Sequence, residues 1–518
     1  MTRSRHPFRR AAVLAALAVA TSALGGYAAS ASAPDEPAAE AVEPQGTVRV
    51  ATLVDRQTFD PHMSEIGNFL QYLQPAYDTL MRMTADGEIV PMLATSWEYV
   101  DDTNTLLELK LRDDVTFSDG EAFDADVVKA NIERGLQSTG PRAALIGSIE
   151  SVTVVDPTTV QIQLSAPDPM LLMELTSVMA MMISPAALDN EDLDLVPVGS
   201  GPYLYDEGAS TPGDKYVFNV NPDYWDPSIP RAERLELTVM TDAEARLNAV
   251  IAGQVDMAPA TAEQAAPAES AGLDVLTELV GWVGFSLADR DGTAVPELAD
   301  VRVRQAMNHA VDRDAILETL GLGLGETTTQ IFPPGSPAIT DEVNQMYPYD
   351  PELARELMAE AGVESFTIPV TTNARRQTYV EAVAGYLSEI GITLDIELID
   401  AGFIETWLDG NHPMPNVIFG GRHPFEMTKL FLLEDSSFNP YHTADETIAT
   451  LFEEAVAAPD EDAMFEKFIE INQHVTEQAW FLVTHFESIV YLVGPNVSGV
   501  ETYPNQAVPS IYGWSAES

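Results

Sequence analysis

Leu109 to Val128 reads LKLRDDVTFSDGEAFDADVV, and this stretch decides the fold. Leu107, Leu109 and Leu111 alternate as one face of a short strand that runs into Arg112 and an acidic turn. Phe117-Ser118-Asp119-Gly120 makes a second turn, and Asp124 stands where it can cap a new helix. Nothing in the stretch forms a catalytic constellation, so its information is architectural.

Working outward, Ala94-Thr95-Ser96-Trp97-Glu98 comes first, and Leu111-Arg112, Val115, Phe117-Ser118-Asp119-Gly120, Phe123 and Asp126-Val127-Val128 follow in order. This ordered pair closely resembles the signature of the peptide/nickel-type solute-binding proteins of ABC importers, solute-binding protein family 5. Phe59-Asp60-Pro61-His62, Tyr77-Asp78-Thr79-Leu80, Gly199-Ser200-Gly201-Pro202-Tyr203 and Asn221-Pro222-Asp223-Tyr224-Trp225 extend the resemblance, as do Val301 to Ala306 and Ala310 to Arg313. It spans nearly the whole chain beyond the first residues. It implies an α/β, two-lobed clamshell like the periplasmic binding proteins (class II type), with an additional small α+β domain. The expected division is 47–78, 196–288 and 490–518 for lobe I, 79–195 for the inserted domain and 289–489 for lobe II.

Local patterns support two α/β lobes. Thr241-Asp242-Ala243-Glu244 reads as a capping box for a helix with Ala243, Leu247, Val250 and Ile251 inward and Gly253 as terminator. Asp256 reads as a carboxylate tying the next helix–strand joint. Asp300 and Asp312 read as caps, and Asp350-Pro351 as an N-cap with an N1 proline. A strand from Phe366 to Val370, a helix from Tyr379 to Ile390 and the alternating Ile392, Leu394, Ile396, Leu398 predict a βαβ unit. Helices near Ile448–Ala457 and Met464–Thr476 follow, and Trp480 to Val493 leads back to the first lobe.

Composition removes several function classes. Eighty-one acidic residues face 26 basic ones, only five of them Lys, for a net charge of −55. Such a surface argues against nucleic acid and anionic membranes, and suits a solvated exterior in a salty medium. With no Cys, disulfides, thiolate metal sites, Cys nucleophiles and Cys-linked lipid are excluded. Arg3, Arg5, Arg9 and Arg10, the apolar run Ala11–Gly26 and Ala29-Ser30-Ala31 form the order of a cleaved secretory signal, residues 1–31. Tyr27 stands where a lipoprotein signal carries its Cys, so a lipid anchor is not expected. Residues 32–46 are Pro/Glu/Ala-rich and read as a disordered tether. The protein is expected outside the cytoplasm, as a monomer, without cofactor or metal.

A ligand belongs in the cleft between the lobes. Trp282, on the strand Gly281–Phe285, either stacks a ligand there or packs between lobes. In peptide-binding relatives, the segment matching Phe419-Gly420-Gly421-Arg422-His423 carries an Asp that holds the peptide ammonium. Here Arg422 and His423 lie at or beside its place, and the loop Thr371-Thr372-Asn373 lacks the Arg that takes a dipeptide carboxylate. Arg422 is a forked partner for a carboxylate or phosphate, or pairs with Glu426. His423 reads as a hydrogen-bonding or packing residue. Ser64, Glu65, Asn68 and Trp407 complete the candidate ligand-binding set with Trp282, Gly420, Gly421, Arg422 and His423.

The expected function is therefore capture of an oligopeptide or other small polar or anionic solute and delivery to a membrane permease. A separate ATPase must drive that step, since no Gly-x-x-x-x-Gly-Lys-Ser/Thr run occurs. The alternatives are a secreted hydrolase using a carboxylate pair, and a metal-chelate or haem receptor. With no Gly-x-Ser-x-Gly elbow and no clustered His, the hydrolase has little to stand on.

Overall fold

Short acidic caps set where the helices begin. In the computed structural model, which describes residues 43–517 apart from 102, 230, 400–406, 409, 459 and 504–505, the carboxylates of Asp124, Asp300, Asp312 and Asp350 each accept a backbone N–H of the following first turn. The stretch read as a secretory signal, residues 1–31, and most of the expected tether lie outside the described residues.

The chain enters a nine-stranded sheet with β1 (Thr47–Thr52), then leaves it for a separate antiparallel sheet. That second sheet holds β2 (Ala94–Tyr99), β3 (Leu106–Leu111), β4 (Ile149–Asp156) and β5 (Thr159–Leu164), in the order β2-β3-β5-β4. The helix α1 (Ala125–Gln137) covers it with Val127, Val128 and Ile132. The chain returns through β6 (Tyr203–Tyr205), β7 (Lys215–Val220) and β8 (Arg234–Val239), and β8 lies parallel to β1. Helix α2 (Ala243–Ile251) and β9 (Met257–Ala260) follow. Asp242, not Thr241, caps α2, accepting from Ala245 N–H at 2.7 Å. The helix buries Arg246 rather than Ile251, because the Arg246 guanidinium donates to the carbonyls of Met240, Thr241 and Pro259.

Two thirteen-residue strands, β10 (Asp274–Ser286) and later β15 (Phe481–Val493), pair antiparallel along their lengths. One end of β15 pairs with β9; the far end of β10 pairs with β14 (Asn416–Gly420). The same two strands thus carry both halves of the sheet, ordered β14-β10-β15-β9-β1-β8-β7-β6, with β11 (Gly325–Thr327) on β15. Register shifts interrupt their pairing at Leu279/Gly281 and Val283/Gly284. Gly281 is required there: a Cβ would stand 2.2 Å from the Phe419 carbonyl oxygen.

Between β10 and β15 the chain builds a second α/β region. Its parallel pair β12 (Phe366–Thr372) and β13 (Ile392–Leu398), linked by α3 (Gln377–Ser388), is the expected βαβ unit. Ile368, Val370, Val380, Val383 and Leu387 share its core. A further aromatic core, with Trp282, Phe431, Phe468 and Phe481, packs α4 (Pro424–Phe431) and α5 (Glu461–Glu477) near the end of β14.

The motifs of the first half converge on one buried acid. Asp78 accepts from Tyr224 Oη at 2.9 Å, Trp225 Nε1 at 2.9 Å and Ser200 Oγ at 3.0 Å. Gly199 and Gly201 are required against it, since a Cβ on either would meet the Ala76 or Pro75 backbone within 2.6 Å. The opening stretch joins the same hub. Ser118 N–H donates to the Gly199 carbonyl, and Arg112 grips Asp114 through two nitrogens while lying 4.0 Å over the Trp225 ring.

Candidate functional site

A cleft of about 1030 Å³ opens at the end of β14, where that strand meets the turn before helix Leu70–Leu73 and the segment carrying Tyr503 to Tyr512. That lies at the upper end of ordinary ligand pockets, which run about 300–1,000 Å³. Gly420, Gly421, Arg422 and His423 all line it. The backbone holds them: Gly420 pairs with Gly281 in the sheet, and Gly421 N–H donates to the Val280 carbonyl at 2.5 Å.

Arg422 lies 3.3 Å from Glu426, one turn along α4, and 5.5 Å over the Phe419 ring, with its side chain 33% exposed. Both readings of this residue therefore meet in one place: the ion pair with Glu426 forms, and the guanidinium still faces the cleft. A second guanidinium enters from Arg142, whose Nε lies 3.3 Å from Glu65 Oε2. Burial and the neighbouring positive charge of Arg422 both lower the Arg142 pKa. Two cations sharing one space in this way favour an anion between them. Glu174 faces the same space, and burial followed by the nearby Glu426 pushes its pKa up to about 7 against the pull of both Arg residues. The cleft thus offers two guanidiniums, with the carboxylates of Glu174 and Glu426 in its wall and Glu65 paired to Arg142 outside it.

His423 caps α4 through its side chain: Nδ1 accepts from Phe425 N–H at 3.2 Å, which leaves the proton on Nε2. Its ring packs 5.3 Å from Phe465, and burial lowers its pKa to about 4, so it is neutral at pH 7. Among the described residues, no group of three or more His, Cys, Asp or Glu side chains is arranged to hold a metal ion.

The remaining candidates stand elsewhere. Trp282 is fully buried, with Phe431 and Phe481 rings 6.0 and 5.5 Å away, so inter-element packing replaces ligand stacking. Trp407 is likewise core, 4.4 Å from the Phe438 ring. Ser64 is buried and donates to the Glu65 carbonyl, and the Asn68 carbonyl accepts from Gln71; neither lines the cleft. Glu65 reaches it only through Arg142. Sequence reasoning missed Gln74, Arg142, Glu174, Gln506 and Ser510, all in the wall. Arg142, a lone cation after Gly140-Pro141 in a strongly acidic chain, carried a usable signal; the others carried none.

Guanidiniums, carboxylates and neutral polar side chains thus line one cleft. The family model described as Bacterial extracellular solute-binding proteins, family 5 Middle, matches residues 88–439. The glutathione-binding protein GsiB of Salmonella paratyphi A is 28% identical over 358 residues, 67% of this chain and 68% of that protein. Among solved structures, HbpA2 from Haemophilus parasuis superposes with a TM-score of 0.82 at 21% identity, covering 91% of this chain and 100% of the other. NikA from Brucella suis in complex with Fe(III)-EDTA gives 0.79 at 24% identity, with 91% and 100% covered. These likenesses establish the α/β two-lobed clamshell. With sequence motifs, sheet topology and cleft in agreement, the chain belongs to the bacterial extracellular solute-binding proteins, family 5, the substrate receptors of ABC importers.

Proposed function

We propose that this receptor captures an anionic or neutral polar solute, such as a blocked or longer peptide, in preference to a free dipeptide, and hands it to a membrane permease driven by a separate ATPase. The observation that carries this reading is the pair of guanidiniums, Arg142 and Arg422, facing one cleft in a chain of net charge −55. The cleft volume of about 1030 Å³ favours a ligand larger than a dipeptide. Residues 1–31 act as a cleaved secretory signal with the mature chain starting at Ser32, and without Cys the protein carries no lipid on that residue. It works as a monomer. Residues 47–78, 196–288 and 490–518 form one lobe, 289–489 the other, and 79–195 an inserted domain.

Calorimetry with free dipeptides, N-acetylated peptides and longer peptides tests the ligand class. Arg422→Ala should weaken binding of an anionic solute by about 2–5 kcal/mol, the cost of stranding one charge of a desolvated pair, while leaving unfolding nearly unchanged. Tight binding of ordinary dipeptides, together with indifference of Arg422→Ala to every ligand, would overturn the reading. Terminal sequencing of the exported protein tests the cleavage site.

A further inference from the structure

The cleft wall also contains neutral polar groups that the fold leaves without partners. Gln74 is only 8% exposed and Ser510 only 3%, and both line the cleft. Gln74 Oε1 and Ser510 Oγ have no hydrogen-bond partner among the described residues, and neither has Oε1 of Gln506, another residue of the cleft wall. Gln74 ends the short helix Leu70–Leu73, and Ser510 and Gln506 belong to the C-terminal segment. Thr502 Oγ1 donates to Glu278 Oε2 at 2.9 Å at the start of that segment, and Gly67, just before the short helix, lies so near Ala507 that a Cβ added to it would stand 3.9 Å from the Ala507 Cβ. The two ends of the chain are therefore brought together as one wall, built from different elements than Arg142 and Arg422.

A buried oxygen without a partner is costly, and most native ones are satisfied. Several orphans gathered on one wall of one cleft have a common explanation if a bound molecule supplies the missing hydrogen bonds. We propose that Gln74 and Ser510 form a subsite for a neutral hydrogen-bonding group, an amide or a hydroxyl, on the same solute whose anionic group lies between Arg142 and Arg422. The inference rests on the ligand class proposed above and narrows it to molecules carrying both groups. Ser510 accepts or donates through a hydroxyl that can rotate, and Gln74 offers both an acceptor oxygen and a donor nitrogen. The subsite therefore takes either face of an amide, without charge.

N-acetyl-trialanine is the probe, because it joins a free carboxylate to neutral amides and has no ammonium. Gln74→Met, Ser510→Ala and the double variant are compared with the unaltered chain by calorimetry and by thermal melting without ligand. The expected result has two parts. The double variant binds the probe about tenfold more weakly or worse, from two lost hydrogen bonds. Its ligand-free melting temperature stays the same or rises, because orphan polar atoms have been removed. A lower ligand-free melting temperature would show that both side chains serve the fold through buried water, and would overturn the proposal; so would unchanged affinity. Failure of the unaltered chain to bind the probe would overturn the ligand class. If Arg422→Ala proves indifferent while the double variant loses binding, the anion reading falls and the subsite stands.

Discussion

Gln74 and Asp78 are four residues apart, both are buried, and the fold treats them in opposite ways. Asp78 receives three side-chain donors from two recognisable motifs, Ser200 from one and Tyr224 with Trp225 from the other. Gln74 Oε1 receives none among the described residues. The difference separates two uses of buried polarity. Where a network is complete it fixes which segments meet, and the sequence around it carries a readable pattern. Where it is left incomplete on the wall of the cleft, the proposed solute supplies the missing partner, and the residues carry no pattern because they need only face the same space.

The largest test of this contrast is Trp282, which looks like a ligand-stacking residue and is packed like a core one. Its indole nitrogen also lacks a hydrogen-bond partner among the described residues, so an orphan polar atom by itself does not mark a site. What differs is the setting: Trp282 lies among Phe431 and Phe481, away from the cleft. Trp282→Ala should therefore cost about 3–5 kcal/mol of unfolding free energy, as large core truncations do. Trp282→Phe should cost much less. Neither should alter affinity at saturation of the folded fraction. A ligand affinity that collapses in Trp282→Phe, with stability intact, would move this residue back to the site.

Asp78→Ala comes next. It strands three donors, and at about 1–3 kcal/mol for each unsatisfied group the loss should be about 3 kcal/mol or more. Asp78→Asn keeps one acceptor oxygen and should fall between the two. Both are read by urea unfolding at fixed pH. A cost under about 1 kcal/mol for the alanine variant would mean that water replaces the carboxylate, and the hub would not be what holds the motifs together.

This contrast explains how much was legible. The caps at Asp124, Asp300, Asp312 and Asp350 were readable because a carboxylate before a helix acts locally. The βαβ unit was readable because alternation and helical spacing are also local. Glycines 199 and 201 were readable as a motif, and the close approach to Pro75 and Ala76 gives the physical reason. The helix after Asp242 was misjudged because periodicity counts apolar residues and so overlooks Arg246, which is buried with its donors satisfied by carbonyls. Arg422 and His423 stood out only as departures from a pattern. Gln74 and Ser510 were illegible, since neutral side chains at opposite ends of the chain become neighbours only through the fold.

The smallest effect expected is a gain. Glu174 faces the cleft with burial and Glu426 opposing its charge, and its pKa rises from 4.5 to about 7. The unfolded chain releases this proton near the ordinary value. Between pH 4.5 and about 7 the folded state therefore holds the extra proton, and stability from this group falls as pH rises through that window. Asp78, likewise raised by burial to about 7, adds a slope of the same sign, so the informative quantity is a difference between variants. Glu174→Gln should match the unaltered chain near pH 4 and exceed it at pH 8, in paired urea unfolding curves. The gain should be modest, because Arg142 and Arg422 already attract the ionised form. It should also raise affinity for N-acetyl-trialanine at pH 8, by removing a negative charge beside the carboxylate site. If Glu174→Gln is instead less stable at pH 8, the carboxylate completes a network with Arg142 as Asp78 does with its donors. The cleft's charged wall would then belong to the scaffold, leaving only its neutral polar wall unsatisfied.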